Sequence, residues 1–312
     1  MTGYFGRRVL AFIPVLLGIS ILVFLLIRLI PGDPCRRIHG IKAPPEVIQE
    51  CRQENHFDQP IYVQYVRFIE KLAGGDFGES YIFKRPALEL IGQRLPVTLQ
   101  LSALSIVLSV IISVPLGILA ARSKDSPLDH GIRAVSTVAL AMPAFVIAIG
   151  LMLVFSIRLG WFPVAGYGEG ALDHLHHLFL PALTLAVTIS VLLARNLRAT
   201  LIEVMQSDYI RTARSKGLDS KRIFMRHAIP NSAITYISIL GFNIVLLIGA
   251  TVIVEQVFAL PGLGSLMLTS ISNRDYEVIQ SIALIFALVA GVVNLGVDLA
   301  YPLIDPRVRY DQ

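Results

Sequence analysis

A polar, basic stretch lies between two long apolar runs in the C-terminal half of this 312-residue chain. It begins Asp208-Tyr-Ile-Arg-Thr-Ala-Arg-Ser-Lys-Gly217 and ends at His227-x-Ile229-Pro230. The residue pattern predicts that Thr200–Tyr209 continues the preceding apolar helix as a polar extension, and that this helix is broken at Gly217. A second helix is predicted over Ser220–Ala228, ending before Pro230.

A short basic helix on the inner face of a membrane protein suits docking into a groove on a soluble partner. The alternative is a basic loop resting on anionic lipid headgroups. The ordered spacing of small residues, glycine and proline favours docking, and with it a membrane channel driven by a separate motor. The residues expected to carry this contact are Arg211, Thr212, Ala213, Arg214, Lys216, Gly217, Leu218, Lys221, Arg222, Ile229 and Pro230.

No catalytic constellation accompanies this segment. The dipeptide Gly-Lys does not occur, so the chain lacks the Gly-x4-Gly-Lys-Ser/Thr loop that holds ATP phosphates. His174, His176 and His177 cluster between two apolar runs, and we favour solvated loop histidines over a metal site. We therefore expect no catalytic residues, no cofactor and no metal in this chain, which is not an enzyme by itself.

The composition is that of a membrane protein. Only 16% of the residues are charged and the mean hydropathy is +0.68, whereas a soluble domain carries about 25% charged residues. The net charge of +5 does not indicate nucleic acid, because the basic residues are distributed between apolar runs.

Six runs approach the ~20 apolar residues that a helix needs to cross a bilayer. The predicted architecture is an all-α membrane protein with spans at 9–30, 98–121, 134–157, 178–197, 234–254 and 279–301. Most Lys and Arg residues fall on one side, while the two short loops on the other side hold only Arg158 and Arg274. By the positive-inside rule both termini, 1–8 and 302–312, are cytosolic, as is the basic loop 198–233.

The remaining long segment, 31–97, is predicted to be a large extracytoplasmic loop with helices of its own. It holds both cysteines, Cys35 and Cys51, on the oxidising side of the membrane. A disulfide ranks first, two free thiols second, and a metal site with His39 and His56 third, because the spacing matches no common zinc pattern.

Few charges fall within the predicted spans. Arg28 is near an outer end and can extend to the interface. Asp298 is interpreted as a packing contact with Arg195 or Arg198 rather than an ion site. A proton- or sodium-driven carrier is expected to have midplane carboxylates or paired broken helices. Their apparent absence from the sequence argues against a self-sufficient carrier.

The spacing of the basic stretch resembles the EAA loop of permease subunits from binding-protein-dependent ABC importers. The resemblance is closest to the dipeptide, oligopeptide, nickel and glutathione branch, and the long first loop resembles its B-type subunit. The supporting motifs are Arg7-Arg8, Pro31-Gly-Asp-Pro34, Leu95-Pro96-x-Thr98-Leu99, Pro115-Leu-Gly117, Leu180-Pro181-Ala182, Glu255-x2-Phe258, Pro261-Gly-Leu-Gly264, Arg274-Asp-Tyr276-x-Val278-x-Gln280, Asn294-Leu-x-Val-Asp298-Leu and Asp305-Pro-Arg-x-Arg309.

This resemblance implies a type I ABC importer permease fold and a set of partners. They are a second, C-type permease, two ATPase subunits that bind ATP and Mg, and an extracytoplasmic binding protein. Ala213 and Leu218 would pack into the ATPase groove, and Gly217 would let the backbone turn near it. Arg211 stands where the general pattern has glutamate and Ile229 where it has leucine, so a glutamate salt bridge to the ATPase is not implied.

Peptides are the expected substrate, delivered to a pathway of which this chain forms half. Nickel and glutathione permeases share the motifs and remain alternatives. The rival classes are a self-sufficient secondary carrier and a membrane scaffold without transport. The basic cytosolic motif favours the importer over both.

Overall fold

The computed structural model describes residues 2–29, 35, 36, 40, 43–54 and 56–304, with side chains described in the ranges 12–25, 35–36, 40, 43–54 and 56–297. Within these ranges the backbone is helical, apart from loops and one isolated β-bridge between Glu79 and Pro86. The predicted contacts of Arg28 and Asp298 lie outside the described side chains. The motifs at Arg7-Arg8, at Pro31–Pro34 and in the C-terminal tail lie outside them as well.

The helices are bounded as follows: α1 Thr2–Leu29, α2 Pro45–Glu54, α3 Ile61–Ala73, α4 Ala87–Arg122, α5 Pro127–Ala141, α6 Ala144–Leu151, α7 Ala171–Gln206, α8 Asp208–Ser215, α9 Ser220–Ile223, α10 Ile229–Val257, α11 Leu263–Asn273 and α12 Tyr276–Ile304. Two π-helical segments extend this set. Met152–Arg158 follows α6, and Phe224–Ala228 joins α9 to α10.

Among the described residues, four helical stretches are long and apolar enough to span a membrane. They are Ala87–Arg122, Ala171–Gln206, Ser220–Val257 and Tyr276–Val297. In α1 the apolar part with described side chains is Phe12–Leu25, which is shorter than a full span. The all-α membrane class is confirmed, whereas the count of six spans stays a prediction.

The predicted span at 134–157 is a pair of helices and not one straight helix, and its status as a single span stays a prediction. Helices α5 and α6 are bent by 105° at the Met142–Pro143 break, and they form at most one broken span. Met142 has φ −86° and ψ 126°, the extended conformation that a following proline enforces on its neighbour.

The chain divides into two compact units, the first formed by Met1–Arg94 and Leu266–Val289. In it, Cys35 and Cys51 form a disulfide that packs with Ile48 and Phe57. The loop that follows α3 is fixed by Ser80 Oγ, which donates a hydrogen bond to Asp275, and by Ser281 Oγ, which donates to the Phe77 carbonyl at 2.8 Å. The first loop is therefore a folded element of this unit.

The second unit comprises Leu95–Ser265 and Ala290–Gln312, and α7 is its central helix. About 67% of the most apolar window of α7 is buried, compared with 28% for α4. Leu185, Leu193 and Leu201 belong to the buried core that α7 contributes. The unit thus packs around one nearly enclosed helix.

Small residues permit close helix approaches in this unit. A Cβ atom on Gly117 would lie 3.0 Å from Leu197 of α7, and one on Gly241 would lie 2.6 Å from Val297 of α12. Ser113 Oγ lies 2.6 Å from Tyr236 Oη, within hydrogen-bond distance. No atom of the described residues lies within 4 Å of a Cβ at Gly249, so this glycine makes no close approach to them.

An ion pair links α5 to α7. Arg198 donates to Asp129 at 2.7 and 2.5 Å, and Asp129 is fully buried. The sequence predicted Asp298 as a partner of Arg198, whereas the described structure pairs Arg198 with Asp129. The sequence interpretation missed Asp129 because it lies just before the predicted span, and charged residues are common at the ends of spans.

Candidate coupling surface and a buried glutamate

The basic segment begins with a break in the helix. α7 ends at Gln206, and Ser207, at φ −67° and ψ 154°, turns the chain into α8. The predicted continuous extension Thr200–Tyr209 is wrong at this point, because Ser207 has an extended backbone. As a result α8 is a helix separate from α7.

One face of α8 is anchored to the rest of the segment. Ile210 is fully buried and Ala213 is 9% exposed, and both pack with Ile223 of α9. Met205 and Leu218 are partly buried against the same cluster. Ala213 and half-buried Leu218 therefore contribute to this internal anchor, and their expected contact with a partner's groove stays a prediction.

The opposite face of α8 is open. Tyr209 is 46% exposed, and Arg211, Thr212, Arg214 and Lys216 are exposed as well. Arg211 pairs with Asp208 at 3.4 Å, but both side chains are at least three-quarters exposed, so the pair contributes little to stability. We call the exposed side chains of α8, together with Lys216 and Gly217, the coupling surface.

Gly217 ends this surface in a left-handed turn. Its φ is +78°, and the Gly217 N–H donates to the Arg214 carbonyl at 2.9 Å. No atom of the described residues lies within 4 Å of a Cβ at this position, so glycine is favoured by the backbone angle and not by lack of space. The predicted break at Gly217 is correct, and it directs the chain into α9.

The second predicted helix begins as expected and ends differently. Asp219 caps α9 by accepting a hydrogen bond from the Lys221 N–H at 3.2 Å. The helix does not stop before Pro230, because the π segment Phe224–Ala228 leads directly into α10 with Pro230 in its first turn. Proline is tolerated in a first turn, where its missing N–H has no partner to lose.

The predicted site residues therefore divide into two groups. Exposed members are Arg211, Thr212, Arg214, Lys216, Gly217, Lys221, Arg222 and Pro230. Ala213 is buried, and Leu218 and Ile229 are partly buried, so these three support the surface from behind.

A second polar site is buried in the same unit. Glu255, in α10, is fully buried, and Thr98 Oγ1 donates a hydrogen bond to its Oε1 at 2.6 Å. The Ser265 N–H donates to Oε2 at 3.0 Å, and the Leu263 N–H donates to Thr98 Oγ1 at 2.8 Å. Glu255 and Thr98 thus satisfy N–H groups in the first turn of α11, where a carboxylate is electrostatically favoured.

Two glycines make room for this arrangement. A Cβ on Gly262 would lie 2.3 Å from the Glu255 carboxyl group, and one on Gly264 would lie 2.5 Å from the Val252 backbone. The loop between α10 and α11 therefore lies directly against the glutamate. We refer to Thr98, Glu255, Gly262, Gly264 and Ser265 as the glutamate site.

Comparison with known protein families covers nearly the whole chain. Residues 113–310 match the model of the binding-protein-dependent transport system inner membrane component. Residues 1–102 match the N-terminal model of the same kind of membrane component. The chain belongs to this permease family.

Curated relatives of the permease match it from end to end. A putative peptide transport system permease protein of Brucella abortus is 40% identical over 314 residues, covering 100% of both chains. The oligopeptide transport system permease protein AppB of Bacillus subtilis is 39% identical, and the glutathione transport system permease protein GsiC of Shigella flexneri is 38% identical. These two matches cover 99% of this chain and 100% of each relative. The permease is therefore a B-type member of the branch that contains these proteins, and a multi-pass subunit of an ABC importer.

Solved structures show the same fold at low sequence identity. A chain of the MetNI methionine ABC transporter, in an inward-facing conformation, aligns with a TM-score of 0.58 at 15% identity. The alignment covers 69% of this permease and 96% of that chain. An amino acid ABC transporter crystallised with histidines aligns at a TM-score of 0.51 and 19% identity, covering 71% and 95%. The type I importer permease fold is confirmed.

The histidine cluster of the permease has a structural role. His174 Nδ1 lies 2.9 Å from the Tyr167 carbonyl, and its ring stacks on that tyrosine. His176 Nε2 lies 2.8 Å from the Trp161 carbonyl. Within the part of the chain that the structure describes, no group of three potential metal ligands is present. His174 and His176 therefore fasten the loop that precedes α7, while the His176 side chain remains exposed as the sequence predicted.

The sequence interpretation did not identify the glutamate site as a functional or structural site. Thr98, Glu255 and the Pro261-Gly-Leu-Gly264 loop served only to support the family resemblance. A signal was available, because Glu255 is an acidic residue next to a strongly apolar run. The predicted end of that run at residue 254 placed Glu255 outside the span, whereas α10 continues to Val257.

Proposed function

We propose that this permease forms half of an ATP-driven import pathway for peptides and that the coupling surface receives the motion of a partner ATPase. The observation that carries the proposal is the geometry of α8: a short helix, anchored by Ile210 and Ala213, presents basic side chains outward. A rigidly anchored helix can transmit a displacement of the ATPase to the spans, whereas a flexible loop would deform instead.

The partners follow from the family. They are a C-type permease subunit, two ATPase subunits that bind ATP and Mg, and an extracytoplasmic binding protein. The permease itself is non-catalytic and supplies no cofactor. Both termini and the coupling surface face the cytosol, an orientation supported by the Lys and Arg distribution of the sequence.

The substrate class is supported by the relatives. Their names specify peptides, oligopeptides and glutathione, which is itself a short peptide. A pathway for short peptides is the interpretation common to all three. Nickel import remains the alternative within the family, and uptake of a labelled dipeptide, labelled glutathione and nickel by one reconstituted complex separates the three.

Two variants of similar shape and different charge test the coupling assignment. Asp and Asn both tolerate the left-handed backbone of Gly217, and the site has open space for either side chain. We expect Gly217→Asp to reduce ATP-dependent uptake severalfold, because it places a negative charge on the basic surface. Gly217→Asn should retain most uptake, and both variants should insert into the membrane normally.

Equal uptake by both variants and the wild type would contradict coupling through this surface. A mild-detergent pull-down of the tagged permease with mass spectrometry gives an independent check. We expect a second permease and ATPase subunits to co-purify. Isolation of the chain alone, with uptake by liposomes in the absence of ATP, would instead identify a self-sufficient carrier.

A further inference from the structure

A basic hollow lies beside the coupling surface, between the ends of two membrane helices. It has a volume of about 370 Å³ and is lined by cations from three parts of the second unit. Arg122 and Lys124 come from the end of α4 and the residues after it, Arg214 comes from α8 and Lys221 from α9. None of its described lining residues is acidic.

These four cations have no anionic partner in the part of the chain that the structure describes. Among the described residues, none of the four forms an ion pair with a carboxylate, although Arg122 lies over the Phe224 ring at 5.1 Å from its centroid. All four side chains are exposed, so they need no partner for stability, but together they give the hollow a positive potential that attracts anions. The hollow therefore has the electrostatics of an anion site.

The floor of the hollow is apolar. Leu201 is fully buried and Phe224 is 7% exposed, and Ile202 and Met205 complete this floor. The ends of α4 and α7, where their apolar stretches give way to charge, form its walls. A free inorganic anion gains nothing from such a floor, whereas a phospholipid presents a phosphate above an apolar glycerol and acyl region.

We propose that this hollow binds the headgroup of an anionic phospholipid of the cytosolic leaflet. The inference rests on the orientation in the proposed function, which places these helix ends at the cytosolic interface. Lys and Arg residues next to spans attract anionic lipid there. The lipid would contact α4, α8 and α9 together and thereby brace the coupling surface against the spans.

The test is native mass spectrometry of the purified importer complex, supplemented with phosphatidylglycerol or phosphatidylcholine. The double variant Arg122→Gln/Lys124→Gln removes two rim cations that lie outside the coupling surface. We expect wild type to retain phosphatidylglycerol in preference to phosphatidylcholine, and the double variant to bind phosphatidylglycerol about tenfold more weakly. Arg195→Gln/Arg226→Gln removes the same charge from exposed positions that neither line the hollow nor belong to the predicted coupling residues, and it should bind like wild type.

Three outcomes would overturn the proposal. The first is equal phosphatidylglycerol binding by wild type and the rim variant, or equal retention of the two lipids. The second is full displacement of the lipid by millimolar inorganic phosphate, which would indicate a soluble phosphate ligand. The third is loss of the ATPase subunits from the rim variant with unchanged lipid binding, which would assign the cations to an acidic surface of the partner.

The lipid measurement is made without ATP, so its failure leaves the coupling assignment untouched. Conversely, a Gly217→Asp variant that takes up peptide normally but still binds phosphatidylglycerol would contradict only the coupling assignment. The two proposals therefore fail separately.

Discussion

The coupling surface and the glutamate site belong to the same unit of the permease but handle charge in opposite ways. On the coupling surface, basic side chains are exposed, and the ion pair between Arg211 and Asp208 is itself in water. In the glutamate site, a single carboxyl group is fully enclosed and accepts hydrogen bonds from Thr98 and the Ser265 backbone.

This contrast distinguishes a surface that can bind a partner from a buried site that stabilises the fold. Exposed charges cost little to keep and little to remove, so a surface built from them is available for a partner. A buried carboxyl group is costly unless its hydrogen bonds are satisfied, so it fixes the elements around it. Substitutions should therefore damage transport at the first region and stability at the second.

The largest effect is expected at Glu255. Glu255→Ala removes the acceptor for Thr98 Oγ1 and the Ser265 N–H and leaves a cavity, so we expect a loss of about 3 kcal/mol in stability. Glu255→Gln keeps the volume and one acceptor oxygen and should lose less. Thermal unfolding of the detergent-purified protein measures both. A Glu255→Ala protein as stable as wild type would show that the glutamate does not organise this site.

The next effect compares two glycines. Gly264→Ala places a Cβ 2.5 Å from the Val252 backbone, which cannot move without shifting α10, and should cost about 2 kcal/mol. Gly217→Ala meets open space and strains only its own φ of +78°, at about 1 kcal/mol. We expect the first variant to unfold at the lower temperature. The reverse order would mean that the turn at Gly217, and not the glutamate site, limits stability.

Sequence reasoning predicted the elements of both regions better than their contacts. The apolar runs identified the long helices of the described residues, and Gly217 was correctly interpreted as a break because only its own backbone angle is involved. The bond between Thr98 and Glu255 joins residues 157 positions apart, and no local pattern encodes such a separation. It depends on helices packing in three dimensions.

The wrong boundaries have equally physical causes. Ser207 interrupts a pattern that otherwise continues, and serine at one position is a weak helix signal because it is tolerated inside helices. Met142 is extended because of the proline after it, and a proline inside an apolar run is a known cause of a kink, which accounts for the 105° bend between α5 and α6. Pro230 was overinterpreted as a stop, since a preceding π segment allows the helix to continue through it.

The smallest effect on stability, and the sharpest on function, is expected at Arg211. Its side chain is 76% exposed and its pair with Asp208 is weak, so Arg211→Gln should change the free energy of unfolding by less than about 0.5 kcal/mol. Peptide-stimulated ATP hydrolysis by the reconstituted complex should nevertheless fall severalfold, because a basic contact with the ATPase is lost. Arg226→Gln is the matched control, since it removes the same charge from an exposed position beyond the coupling surface.

The unfolding and ATP-hydrolysis measurements on Arg211→Gln decide whether the coupling surface binds a partner while the glutamate site stabilises the fold. Lost coupling at unchanged stability places the residue at an interface with the ATPase. A fall in the unfolding temperature comparable to that of Glu255→Ala would instead mean that Arg211 holds the segment together. The exposed face of α8 would then be a structural surface, and the distinction between a partner-facing region and a fold-fixing region would no longer hold.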